Sequence, residues 1–151
     1  QYTLPMNEVT RSGKGLHVER VLEVKQHDGW KTFNPAKILP KGTHIRMILR
    51  IESERDMDFV SLRAGRAACM EPLRPLSGYI RYDRGGTYRV VRDACTEYFF
   101  ERLPKGRSEI IEECYLDRSG TYQCAPTKIQ SVYSPEFAGV SGGSVVIRVK
   151  E

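Results

Sequence analysis

The sequence has no apolar run approaching the roughly 18 residues a membrane-spanning helix needs, and residues 1–9 hold neither a basic leader nor an apolar segment. Neither a transmembrane helix nor a signal peptide is therefore expected within it. The chain opens at Gln1 rather than Met, which reads as a processed product or a piece of a larger protein. Histidine is scarce: His17, His27 and His44 form no H-E-x-x-H and no i, i+4 pair, so they are expected as strand or loop residues and not as metal ligands. The four cysteines, Cys69, Cys95, Cys114 and Cys124, have no C-x-x-C spacing, which argues against a zinc site. Gly13-Lys-Gly15 lacks the third glycine and the preceding strand of a phosphate cradle. Gly139-Val-Ser-Gly-Gly143 has the letters of a serine-nucleophile elbow, but no histidine follows Ser141. No nucleophile, base and orienter come together, so the chain is not expected to be an enzyme or to hold a cofactor.

What is present fits a single domain: 151 residues, 40% of them hydrophobic, with 13 glycines and 8 prolines as turn material. The net charge of +5 is local. Seven arginines and two acids lie between Arg63 and Arg92, which accounts for the whole excess, and the other 121 residues balance. Tyr79, Tyr82 and Tyr88 are interleaved with those arginines. Such a segment could stack bases against cations, but it matches no nucleic-acid motif. A solvated loop or a protein-docking surface is the favoured reading, because interfaces are enriched in arginine and tyrosine.

Period-2 alternation dominates. In Thr43–Ile51, Ile45, Met47, Leu49 and Ile51 share one face; in Leu16–Val24, Leu16, Val18, Leu22 and Val24 do, with Arg20 breaking the pattern. Further strands are predicted at Met57–Leu62, Thr87–Arg92, Thr96–Phe100, Ser108–Leu116, Thr121–Tyr133 and Val145–Lys150. The tetrapeptide Leu-Pro-Lys-Gly occurs at Leu39–Gly42 and Leu103–Gly106, in each case before a strand. It is expected to be one turn chemistry used twice, with Gly at a positive φ. Eight short strands and no 3.6-period segment predict an all-β sandwich or barrel.

A hairpin is predicted around Asp117–Gly120. With a five-residue loop it would place Cys114 opposite Cys124, where a disulfide could form; with a four-residue loop the thiols would face opposite ways and stay buried. Asp117–Cys124 also resembles the tyrosine corner of immunoglobulin domains in the placement of its Gly and Tyr122. The only tryptophan, Trp30, precedes every cysteine, so the Cys…Trp…Cys core of a true immunoglobulin domain is missing.

Arg55–Val60, Arg66–Pro72, Ser77-Gly-Tyr79, Arg92-Asp-Ala94, Phe99–Gly106, Ser119-Gly120 and Gln130–Phe137, taken in order, resemble the last macroglobulin-like domain of bacterial alpha-2-macroglobulins. The resemblance implies a fibronectin/immunoglobulin-like antiparallel β-sandwich with a long arginine-rich inter-strand loop. Residues 1–14 would be the linker from a preceding domain and residues 15–151 the sandwich. It also implies a non-catalytic C-terminal module of a protease-trapping chain of the periplasm or cell envelope. The expected partners are other domains of that chain and, through them, proteases; nucleic acid is not one. Arg74, Tyr79, Arg81, Tyr82, Arg84 and Arg89 are the candidate interdomain contacts. Cys69-Met-Glu-Pro72 departs from a thioester motif, which needs Gln where Pro72 stands. The alternative function is a cell-envelope adhesive or carbohydrate-binding sandwich, which would need an aromatic platform formed by Trp30, Tyr79 and Tyr82.

Overall fold

The alternating segments fold into paired strands. In the computed structural model, which describes residues 10–12, 15–73, 78–81, 86–92, 94–134, 136–141 and 145–151, strands account for all the regular structure. In chain order they are β1 (Thr10–Ser12), β2 (Leu16–Gln26), β3 (Gly29–Thr32), β4 (Ile38–Pro40), β5 (His44–Ser53), β6 (Met57–Gly65), β7 (Met70–Pro72) and β8 (Gly78–Arg81). β9 (Gly86–Val91), β10 (Cys95–Leu103), β11 (Gly106–Leu116), β12 (Gly120–Cys124), β13 (Thr127–Ser131), β14 (Ala138–Ser141) and β15 (Val145–Lys150) follow.

Three sheets result, ordered β1-β14-β13-β6-β10-β9-β8, β3-β2-β5-β11-β7 and β12-β15-β4. Every pairing is antiparallel except the β15–β4 pair. Leu16, Val18, Ile45, Met47, Leu49 and Ile51 of the five-stranded sheet meet Val60, Leu62, Ala64, Tyr98 and Phe100 of the seven-stranded sheet in one core. This is the antiparallel sandwich that the alternation and the resemblance predict.

Arg20, the exception in β2, does not turn outward. It keeps its inward register position, with 2% of its surface exposed. Its guanidinium donates to the carbonyl of Ala125 and lies 3.6 Å from Cys124 Sγ. A cation survives there because carbonyl and sulfur acceptors replace lost water.

The two Leu-Pro-Lys-Gly turns are alike, with Gly42 at φ 94° and Gly106 at φ 112°. Tyr122 forms the corner its spacing predicts: its hydroxyl donates to the carbonyl of Ser119 at 2.6 Å.

Several expectations are corrected. Thr121–Tyr133 is two strands, β12 in the three-stranded sheet and β13 in the seven-stranded one. The break falls at Ala125-Pro126, where proline has no N–H for a ladder. Asp117–Gly120 is a crossover and not a hairpin: β11 pairs with β5 and β7, while β12 pairs with β15. Cys114 therefore opposes Ile45 and Pro72, and Cys124 opposes Val145. All four cysteines are buried thiols and none is in a disulfide. Finally, the stretch expected as an arginine-rich loop contains β7 and β8, and β8 pairs with β9, the strand predicted at Thr87–Arg92, at the edge of the seven-stranded sheet. β1 pairs with β14, so part of the expected linker lies within the sheet.

Candidate docking surface

The two outer faces of the sandwich differ in chemistry. On the five-stranded sheet, cross-strand register sets Glu19, Arg50 and Glu109 in one row, and Glu23, Arg46 and Glu113 in another. A third row holds His17, Glu52 and Arg107. Arg46 lies 2.6 Å from Glu23 and Arg50 lies 3.2 Å from Glu109, while the Arg46 guanidinium stacks 4.3 Å from the Trp30 ring centroid. The exposed Arg50–Glu109 pair contributes at most about 1 kcal/mol, while Arg46–Glu23 is half-buried. Together they pair part of the charge on this face and keep it hydrated.

The seven-stranded sheet is different. Register aligns Ser61, Phe99, Tyr88 and Tyr79 across β6, β10, β9 and β8. Beside that row the β6–β10 ladder pairs Val60 with Phe100 and Asp58 with Arg102, skipping Phe59 and Glu101. Phe59 has φ 57°, a left-handed backbone that costs a bulky L-residue roughly 1–2 kcal/mol. Inward–outward alternation shifts by one on both strands at this point, so Asp58 and Phe59 both face outward, as do Glu101 and Arg102. The Phe59 carbonyl accepts from the Val132 amide at 2.9 Å, which holds the segment after β13 against the distortion.

Phe59, Val60, Tyr88, Phe99, Phe100, Glu101, Val132 and Tyr133 line a groove of about 270 Å³. Phe59 and Tyr133 meet edge to face, with centroids 5.4 Å apart. Tyr133 is 76% exposed and Phe59 47%. Strained backbone concentrates at functional sites, and clustered exposed aromatic residues are typical of interfaces.

Of the predicted contact residues, one lies in the core. Arg89 is a correction: alternation along β9 turns it inward, where it is 1% exposed. Its Nη2 lies 2.5 Å and its Nε 3.1 Å from the two carboxylate oxygens of Glu112 on β11. Tyr98 on β10 also donates to Glu112, so the cluster ties one sheet to the other. Burial opposes the Arg89 charge, but Glu112 and Tyr98 outweigh it and raise its pKa. Burial likewise pushes the Tyr98 hydroxyl up.

Other arginines of the basic segment also find partners inside the domain. Arg66 is buried and donates to Thr96 and to the Arg92 carbonyl, and Arg92 lies 2.6 Å from Glu97. Arg63 is 3.9 Å from the same carboxylate. Tyr79 and Arg81 sit on the edge strand β8, while Arg74, Tyr82 and Arg84 lie outside the described residues. Trp30 is on β3, in the other sheet from Tyr79, so those two do not form the platform a sugar-binding face would need. Phe59, Phe99, Glu101, Val132 and Tyr133 were not foreseen as site residues. The signal for one of them was available: in Phe99-Phe100 a strand must turn one ring outward.

A family model described as the bacterial alpha-2-macroglobulin MG10 domain matches residues 15–136. Among curated proteins no match is found. The fold is similar to that of Salmonella alpha-2-macroglobulin reacted with methylamine, at TM-score 0.75 and 14% identity, over 93% of this chain and 10% of that one. It is also similar to native Escherichia coli alpha-2-macroglobulin spanning MG7 to the C-terminus, at TM-score 0.73 and 13% identity, over 93% of this chain and 24% of that one. Trypsin-activated alpha-2-macroglobulin from Escherichia coli matches over the whole chain and 11% of its own, at TM-score 0.70 and 12% identity. The chain thus spans a small fraction of each of these molecules.

Proposed function

Because the chain belongs to the bacterial alpha-2-macroglobulin MG10 domain family, we propose that it is a non-catalytic docking module of a large protease-inhibiting chain in the periplasm or cell envelope. Its partner is a neighbouring domain of that same chain. The observation that carries this reading is the aromatic groove at Phe59, Phe99 and Tyr133, set opposite a face lined by rows of glutamate and arginine.

The two faces make opposite contributions to association. Covering the Glu/Arg rows would strip water from charged groups, several of which are already paired, which gains little. Covering the groove would remove exposed aromatic area from water at about 25 cal/mol per Å², and interface aromatics commonly contribute 2 kcal/mol or more on truncation. The distorted backbone at Phe59 supports the reading, because it presents the ring outward at a cost to the domain alone. Tyr79 and Arg81 on β8, the strand paired to β9, would extend the contact along the same sheet edge. The likeness to a trypsin-activated alpha-2-macroglobulin supports the protease-inhibitor context.

The test is the full-length parent carrying Phe59→Ser and Tyr133→Ser together. Release of this domain from the body, seen as new sites of limited proteolysis at its junction, and reduced protease capture are expected. Wild-type behaviour in both assays would remove the groove from the mechanism.

A further inference from the structure

The groove has one charged lining residue. Glu101 projects into it from β10, and among the described residues it makes no ion pair and no side-chain hydrogen bond. Around it stand the rings of Phe59, Tyr88, Phe99 and Tyr133. Resting on the docking reading above, we infer that the groove takes a lysine or arginine side chain from an adjoining domain of the parent chain.

Three features point to a cation. Aromatic faces attract one by about 0.5–2 kcal/mol, more as water is excluded. The Glu101 carboxylate would be covered by any docked surface, and covering it without a counter-charge would cost more than an apolar contact returns. The volume, about 270 Å³, falls below the roughly 300–1,000 Å³ of small-molecule pockets and suits one long side chain. Lysine and arginine carry an apolar stem for the ring walls and a charged head for the carboxylate. An acidic or a purely apolar anchor would leave Glu101 unmatched.

The source is intramolecular. This domain covers only 10% of the Salmonella chain, so most of such a molecule is tethered surface. A tethered cation has a millimolar-scale effective concentration, which no dilute partner matches.

The experiment places p-benzoylphenylalanine at Val132, on the rim, in the full-length parent. After irradiation, the cross-linked peptides are identified by mass spectrometry. The expected product is an intramolecular link to another domain, next to a lysine or arginine. Glu101→Gln should lower its yield roughly tenfold, the effect of losing one charge-assisted bond. Reversing both charges, Glu101→Lys with the identified cation changed to Glu, should restore it. A link to a segment without a cation, or a yield indifferent to Glu101→Gln, overturns the inference and leaves docking standing. A link to a second copy, or none to any other domain, overturns docking and this inference with it.

Discussion

Arg89 and Glu112 meet at 2.5 Å across the middle of the sandwich, each with 2% of its side chain exposed. An arginine from the most basic stretch of the chain therefore joins β9 to β11 in the core. Replacing only Glu112 by Gln should be severe, because it strands a buried guanidinium, at a cost of about 3–5 kcal/mol. The triple variant Arg89→Met, Tyr98→Phe, Glu112→Leu should be far less destabilised, since it removes every polar member of the cluster. Urea midpoints of the 151-residue chain measure both. Equal losses would show that the three groups do not act as one unit.

The thiols give a pH dependence of definite sign. Burial pushes Cys69 up from 9.0 to about 11 and Cys114 up from 9.0 to about 12. Below the unfolded value of 9.0 both are neutral in either state and their contribution is fully present. Above it the unfolded chain loses protons first, so stability falls as pH rises toward 11 and then 12. Unfolding free energies at a series of alkaline pH values should slope downward, and the Cys69→Ala, Cys114→Ala double variant should flatten the slope. An unchanged slope in that variant would place the titration elsewhere.

Thiol counting tests the cysteine assignment directly. All four are buried and none is bridged. The native chain should react slowly with an aromatic disulfide reagent and yield four thiols in urea without reductant. A yield of two would require a disulfide.

Much of this fold is readable from period-2 alternation, because β2, β5, β6, β10 and β11 are 9 to 11 residues long and bury one face. Strands β3, β4, β7, β8 and β14 hold three or four residues, too few to express a period, and none of them was predicted. Arg89 was placed on the surface because its counter-ion lies 23 residues away on a strand of the other sheet, a relation that no local pattern carries. The groove was missed for a similar reason. Its wall depends on a positive φ at Phe59, and phenylalanine does not announce one. Tyr88 shows the reverse case: it was noted within the basic segment, and alternation along β9 places it in the groove.

The backbone at Phe59 makes an unusual ordering of substitutions. At an ordinary strand position alanine is more stable than glycine, but a φ of 57° favours glycine by roughly 1–2 kcal/mol. Phe59→Gly should therefore have a higher urea midpoint than Phe59→Ala, while both lose the aromatic contact. The ordinary order would contradict the left-handed assignment.

Covalent footprinting tests the central claim most directly. Hydroxyl radicals modify exposed aromatic side chains, and Tyr133 and Phe59 are 76% and 47% exposed in this domain. Their modification rates should be compared between the isolated chain and the full-length parent, with half-buried Tyr115 on β11 of the five-stranded sheet as an internal reference. Docking through the groove predicts strong protection of Phe59, Phe99 and Tyr133 in the parent and little change at the reference. Equal rates at the groove residues in both molecules would contradict it.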